Sequence, residues 1–262
     1  METSILERFS LQGKVALVTG GAGLYGRQIV RALAEAGAET YSAARRLDAL
    51  EQVAAGERAR GGRVTALQFD QGNEGTIRAL RDEIVRRSGT IDVLVNNAVA
   101  RPMQKGWEDD AARFDESLHI NATGLFMTTR AVGEVMLEHG SGSIINIGSM
   151  MGMVGVEPGN YEGTAMHGFY PDYFFHKGGM INFTRFCASY FGRRQVRVNC
   201  VSPGGFFNNQ PARFVEQYSA RTQLGRMANE TDLMGVIVFL ASDASGYITG
   251  ANIPVDGGYT AK

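Results

Sequence analysis

Tyr173 and Lys177, in "YFFHK", lie four residues apart, so on a helix both side chains fall on one face. A free phenol titrates near 10, too high to trade protons readily at neutral pH. A neighbouring ammonium favours the phenolate and brings the phenol into a useful range for acid–base work. With nine tyrosines and four lysines in 262 residues, composition predicts roughly 0.14 such pairs by chance. Tyr161 and Tyr170 have Ala165 and Phe174 four residues on, so neither has this partner.

A second signal is "TGGAGLYG", Thr19 to Gly26, directly after the apolar run "VALV". A glycine-rich turn between a first strand and a helix lets backbone N–H groups and the helix dipole meet a pyrophosphate. Gly20, Gly23 and Gly26, with Leu24 and Tyr25 between them, are the expected cofactor contacts. In a chain with 34 glycines the spacing alone is weak, and a tight turn without a ligand is the alternative. Position favours the dinucleotide: the turn follows the first strand and opens a periodic helix. The adenosine ribose is met about 20 residues further on. There "SAARRLD" offers Arg45 and Arg46 and no acid at the strand end. An arginine pairs with a 2′-phosphate, so NADP(H) is preferred. NAD(H) is the alternative, with Asp48 as its acid if the strand ends later.

These residues need elements to hold them. Apolar runs at "KVALVT", "TYSAA", "RVTALQF", "IDVLVNNA", "GSIINIGS", "VRVNCVS" and "ANIPVDGG" read as seven strands. Between them lie helix-period stretches: one ending near Gly37, then 47–60, 74–87, 108–118, 121–138, one with Met180, Phe183, Cys187 and Phe191 on its face, and 230–241. Strands too apolar to face water, alternating with helices, imply an α/β fold: a parallel sheet covered on both faces. One domain over 1–262 is expected, since no repeat or linker interrupts the pattern. Segments 150–172 and 204–228 lack clear periodicity, and irregular segments this long are usually binding loops or lids.

Composition closes off other classes. A net charge of −1 with scattered arginines offers no field for nucleic acid or an acidic membrane. Cys187 and Cys200 make no disulfide framework or zinc motif, and the four histidines show no ligand spacing, so no metal is expected. The start "METSILERFSLQGK" lacks the apolar block of a signal peptide, and no run is long enough to span a bilayer. The expectation is a soluble cytoplasmic protein acting on a small molecule.

The chain resembles a classical short-chain dehydrogenase/reductase over nearly its whole length. Besides the glycine turn and "YFFHK", the likeness rests on several strand-end motifs. They are "NNA" (Asn96 to Ala98), Asn121 in "HINATG", Ser149 ending "INIGS", "SPGG" (Ser202 to Gly205) and "IPVDGG". The resemblance implies a single-domain Rossmann-like, doubly wound parallel sheet. It also implies the roles of particular residues. Tyr173 is the acid/base, Lys177 lowers its pKa and holds the nicotinamide ribose, Ser149 hydrogen-bonds the reacting oxygen, and Asn121 anchors a water. Asp70 meets the adenine, the backbone at Asn97 and Ala98 lies along the cofactor, and Pro203 and Gly204 border the nicotinamide. The family further suggests a homotetramer, or a homodimer, with "VDGGYTAK" near an interface.

Three departures stand out. Leu24 occupies the place of the second glycine, a spacing that resembles the extended branch of the superfamily, although the chain is too short for that branch's substrate domain. Asn208 stands where a threonine often touches the nicotinamide amide. Ser149 and Tyr173 are 24 apart, about ten more than usual, so a loop must bulge out. That loop brings Met151, Tyr161 and His167, and the segment after "SPGG" brings Phe206 and Asn208, as expected substrate contacts. Aromatic faces mixed with polar groups suit a sugar, sugar acid or other polyhydroxylated compound. The "GGAGLYG", "YEGT" and "SPGG" with "NQP" resemble a subgroup of bacterial sugar and surface-glycan oxidoreductases. The expected reaction is therefore NAD(P)(H)-dependent interconversion of a secondary alcohol and a ketone. The alternatives are a reductase of a hydrophobic ketone or 3-oxoacyl chain, a dehydratase or epimerase, and a non-catalytic dinucleotide-binding protein on the same fold.

Overall fold

A computed structural model describes residues 4–261; Met1, Glu2 and Thr3 of the charged N-terminal stretch and Lys262 of "VDGGYTAK" lie outside the described residues. Seven strands form one parallel sheet: β1 (Val15–Thr19), β2 (Glu39–Ala44), β3 (Arg63–Gln68), β4 (Val93–Asn96), β5 (Gly142–Ile147), β6 (Val196–Pro203) and β7 (Asn252–Val255). Their order is β3-β2-β1-β4-β5-β6-β7. The winding direction reverses between β1 and β4, and at such a switch point a crevice opens at the carboxyl ends of the strands.

Strand alternation explains why the strands read as unbroken apolar runs. In β1, Ala16 and Val18 face one core with Ile29 and Leu33 of α1 (Leu24–Glu35), Leu50 of α2 (Leu47–Ala59) and Ile237 of α8 (Met234–Ala241). Val15 and Leu17 face the other, with Ile77 of α3 (Glu74–Ser88), Met136 of α5 (Gly124–His139) and Phe191 of α6 (Pro171–Phe191). Both faces of the sheet are therefore covered by helices, so a strand has no polar side to show. Gly37 follows α1 at φ +104°, a conformation that leaves little choice but glycine.

The structure departs from the sequence pattern in three places. The helices expected over 108–118 and 121–138 are one run, α4 (Ala111–Leu118) passing through a π-helical turn at His119–Thr123 into α5. Such turns are frequent at functional sites; here the turn carries the buried Asn121. The segment 204–228, read as aperiodic, contains α7 (Ala212–Ser219), whose buried Phe214 and Tyr218 lie one turn apart. The last long helix starts at Met234 rather than 230, because Asp232 is taken up by Arg226 (2.6 and 2.8 Å) and the Asn229 N–H (2.7 Å). Among the described residues Cys187 and Cys200 are free and buried, no cluster could hold a metal ion, and no helix is long and apolar enough to cross a membrane.

The glycines separate into two kinds. A Cβ at Gly26 would strike the Gly20 carbonyl oxygen and the Gly21 backbone, whereas one at Gly56, inside α2, meets nothing within 4 Å. Gly26→Ala should therefore cost about 1–3 kcal/mol through overpacking. Gly56→Ala should stabilise by about 0.5–1 kcal/mol through helix propensity. Thermal unfolding of the two variants checks the opposite signs.

Candidate active site

A cavity of about 950 Å³ runs across the carboxyl ends of the strands. At one end it is lined by Arg45, Arg46 and Asp70, in the middle by Gly20, Gly23, Leu24, Tyr25, Gly26, Asn97 and Ala98, and at the other by Ser149, Tyr173, Lys177, Pro203 and Gly204. Met151, Tyr161, His167 and Phe206 line it as well. Two expected residues do not. Asn208 is exposed and only its backbone N–H is engaged, donating to Gln210 Oε1 at 2.7 Å; Gln210 lines the cavity in its place. Asn121 is buried behind the wall.

Pro171 at the first position of α6 sets the helix start, so Tyr173 sits in the first turn and Lys177 one turn later. Lys177 is 3% exposed, and its Nζ donates to the Ile147 carbonyl at 2.6 Å, at the very end of β5. Burial, aided by Arg101, lowers its pKa against the opposing pull of Tyr173. The ammonium lies 5.7 Å from the centroid of the Tyr173 ring. Ser149, just past β5, hydrogen-bonds the phenol oxygen of Tyr173 and accepts from the Met151 N–H at 3.1 Å.

Arg101, which the sequence reading did not single out, completes the group. Its guanidinium carbon stands 4.3 Å over the Tyr173 ring, and it also hydrogen-bonds the phenol oxygen. Burial alone would push this phenol up. The charges of Lys177 and Arg101, with the hydrogen bonds from Ser149 and Arg101, outweigh burial and hold it below the usual tyrosine range. His176 packs edge-on against the same ring at 5.3 Å. Burial next to Lys177 and Arg101 pushes its imidazole down to about 3, so it is neutral at physiological pH. An oxygen atom placed against Ser149 and Tyr173 thus meets a phenol that gives up its proton more easily than a free tyrosine. His176 was visible three residues after Tyr173. Arg101 was not, because nothing local ties it to a tyrosine 72 positions away.

Several side chains tie the walls of the site together. The Asn97 amide donates to the carbonyls of Thr19 (3.1 Å) and Gly20 (3.0 Å), stapling the "NNA" turn to the glycine turn. Thr19 Oγ1 accepts from the N–H groups of Asn97 and Ala98, both at 3.1 Å. Asp70 Oδ1 accepts from the Gly72 N–H at 2.9 Å. Asn121 clamps Ala100 at both ends, accepting from its N–H (2.8 Å) and donating to its carbonyl (2.9 Å). Tyr25 donates to the Gly204 carbonyl at 2.7 Å and packs edge-on against Phe206. The glycine turn therefore holds the loop after β6.

The extra loop does bulge, and it lands on α7. Tyr161 packs on Phe214 at 5.4 Å, and Arg213 and Gln217 donate to the Glu162 carbonyl. Asn160, buried, donates to the Tyr259 hydroxyl at 2.8 Å. Met150, Phe214, Tyr218, Met227 and Tyr259 form a third apolar cluster, separate from the two sheet cores. Within the loop His167 stacks on Tyr170 at 4.7 Å.

This arrangement makes one tyrosine differ from the rest. In an ultraviolet difference titration against Tyr173→Phe, Tyr173 should ionise below the other tyrosines. Arg101→Met and Lys177→Met should each move that component to higher pH, because each removes a positive charge that favours the phenolate. A Tyr173 signal unmoved by both changes would contradict this electrostatic account.

Comparison with known proteins agrees with this architecture. A family model described as Enoyl-(Acyl carrier protein) reductase matches residues 23–260. The chain is 35% identical to 2-dehydro-3-deoxy-D-gluconate 5-dehydrogenase of Escherichia coli K12, over 98% of this chain and 100% of that protein. It is 32% identical to D-threitol dehydrogenase of Mycolicibacterium smegmatis, over 100% of this chain and 98% of that one. Among solved structures, a gluconate 5-dehydrogenase from Burkholderia cenocepacia in complex with NADP and tartrate superposes with a TM-score of 0.88. That pair shares 29% identity and covers 99% of this chain and 100% of the other. With the Rossmann-like sheet, the glycine turn and the Tyr173–Lys177 pair in place, the chain belongs to the short-chain dehydrogenase/reductase family of oxidoreductases.

Proposed function

We propose that this protein interconverts a secondary alcohol and a ketone on a polyhydroxylated small molecule, with NADP(H) preferred over NAD(H). The observation that carries the reading is the grouping of Tyr173 with Lys177, Arg101 and Ser149 at one end of a cavity of about 950 Å³ that also takes in the glycine turn. Tyr173 takes the proton from the alcohol in oxidation and returns it in reduction. Ser149 hydrogen-bonds the reacting oxygen and fixes its distance from the phenol. Lys177 keeps the phenol ionisable from its anchored place on Ile147. Asn121 acts from behind the wall by holding Ala100.

The cavity suits a dinucleotide on its own features. The start of α1 and the glycine turn present backbone N–H groups, and a Cβ at Gly20 would meet the Ala98 backbone at 2.8 Å. Bound there, the nicotinamide nucleotide supplies or accepts the hydride. Gly20, Gly23 and Gly26 would cradle its phosphates, with Asn97, Ala98, Pro203 and Gly204 beside its nicotinamide half and Asp70 by its adenine. Leu24, exposed at the first position of α1, replaces a glycine without a clash because its side chain leaves the turn. Arg45 and Arg46 are exposed on the cavity wall and make no ion pair among the described residues. Gln68 holds the Arg45 backbone by donating to its carbonyl at 2.9 Å.

For the substrate, the roof formed by the loops around 150–172 and 204–228 mixes apolar and polar groups. Met151, Met166, Phe206 and Phe214 alternate with Tyr161, His167, Tyr170 and Gln210. The names of the relatives, a deoxygluconate 5-dehydrogenase and a threitol dehydrogenase, support the same substrate class. We take the protein to work in the cytoplasm as a homotetramer, a homodimer being the smaller alternative. The aromatic side chains Phe175, Phe186 and Tyr190, which α6 leaves exposed, support self-association.

Tyr173→Phe should lower turnover by about 10²–10⁴-fold while leaving nucleotide binding nearly intact. Replacing Arg45 and Arg46 with Ala should weaken NADPH about 10-fold or more, and NADH far less, since a charge-assisted phosphate contact is worth about 1.5–3 kcal/mol. Equal losses for the two nucleotides would leave the arginines as mere solvated helix-start residues. Comparing kcat/KM for sugar acids and polyols with that for aliphatic, aromatic and 3-oxoacyl ketones tests the substrate class, and a clear preference for the ketones would sink it.

A further inference from the structure

The catalytic end of the cavity holds two cations and no carboxylate. Among the described residues Asp70 is the only acid on the lining, and it stands just past the end of β3, four strands from β5 and so roughly 19 Å away along the sheet. Lys177 is committed to the Ile147 carbonyl. Arg101 has no ion pair among the described residues and bonds only the phenol beneath it. The Arg101 charge works against the Lys177 ammonium, and both disfavour a charge on His176.

Arg101 nevertheless is held there by a closed ring of bonds. Asn121 clamps the Ala100 N–H and carbonyl, directly before Arg101. The same Asn121 amide donates to Ser117 Oγ at 3.0 Å, and Ser117 donates to Asp172 Oδ2 at 2.5 Å. Asp172 precedes Tyr173, over which Arg101 stacks. Ser117, Asn121 and Asp172 are 0–3% exposed, so each would be expensive to bury without its partner. A buried chain of this kind keeps a cation next to the reacting position against repulsion.

We propose that Arg101 is an anion subsite of the active site that binds the carboxylate of a polyhydroxy-acid substrate, and that Asp172 and Ser117 act as positioning residues for it through Asn121. This rests on the polyhydroxylated-substrate reading above and narrows it to acids. The planar guanidinium fork matches a carboxylate in a bidentate pair. A phosphate dianion shares that chemistry but asks for more donors than one arginine brings, so a sugar phosphate forms a separate arm of the test.

The test compares C4–C6 aldonates with the matching alditols and sugar phosphates, on the NADP-loaded protein. Measurements in the oxidative direction are made on the high-pH plateau, where any shift of Tyr173 drops out. Arg101→Met should cost about 10–100-fold more in kcat/KM for the aldonate than for the alditol, the size of one lost charge-assisted bond. Arg101→Lys should recover part of the difference. Asp172→Asn and Ser117→Ala should raise KM for the aldonate several-fold with kcat kept within threefold, and should add nothing in an Arg101→Met background. If Asp172→Asn does not fold, Ser117→Ala carries this arm. Equal losses on aldonate and alditol, a wild-type preference for the alditol or the sugar phosphate, or full additivity with Arg101→Met would overturn the proposal. If no polyhydroxylated compound is turned over, the substrate reading fails on its own. Calorimetric binding of the aldonate to wild type but not to Arg101→Met would then still uphold the subsite, and equal binding or none would overturn it.

Discussion

An ammonium group buried at the end of a parallel strand has to find an oxygen, and the rest of this site follows from where Lys177 finds it. The acceptor is the Ile147 carbonyl, the last of β5, so the first two turns of α6 must lie across the carboxyl end of that strand. Close approach is built in around it: a Cβ at Gly152 would strike the Lys177 backbone, and one at Gly148 would meet Cys200 and Ser202. Beneath, a buried amide ladder ties the helix to the sheet. Asn96 donates to Asn146 (2.9 Å), Asn146 to Thr184 (2.9 Å), and Thr184 to the Met180 carbonyl. A buried network of this kind favours one geometry because a slip breaks bonds that no water is there to replace.

With α6 fixed, Tyr173 is delivered one turn before Lys177, and electrostatics then separates it from its neighbours. Tyr25, Tyr161, Tyr173 and Tyr218 are among the tyrosines that line the same cavity. Burial holds Tyr25 and Tyr218 well above the ordinary tyrosine value and pushes Tyr161 up to about 12. Tyr173 is buried among them, yet two cations and two hydrogen bonds reverse the sign. Of these four, Tyr173 alone is held below the ordinary tyrosine value, while Tyr25 and Tyr218 serve as wall and hydrogen-bond donors and Tyr161 as wall.

The glycine turn and the loops that roof the catalytic end are mechanically one piece. Tyr25, inside the glycine turn, holds Gly204, and Tyr218 of α7 accepts from the Gly205 N–H and packs on Tyr259. The long loop rests on α7 and on Tyr259 through Asn160. A ligand that orders the glycine turn thus bears on the roof through the loop after β6, with no separate domain needed.

Local pattern carried much of this. Apolar runs located all seven strands, because a strand buried on both faces has no polar residues to break the run. The spacing of Tyr173 and Lys177, and of the glycines around α1, was readable because those relations are set within one turn of chain. Helix α7 was missed although Phe214 and Tyr218 lie four apart, since eight residues flanked by "SPGG" and "TQLG" show too few periods to stand out. Asn208 was aligned to the cavity by its place after "SPGG", but the chain turns there and puts Gln210 on the wall. Asn121 was visible as a residue, but that its amide is spent on Ala100 was not. Arg101 was invisible as a site residue for the same reason. Its position over Tyr173 depends on contacts among β4's following loop, α4 and α6, which only the packed sheet brings within reach of one another.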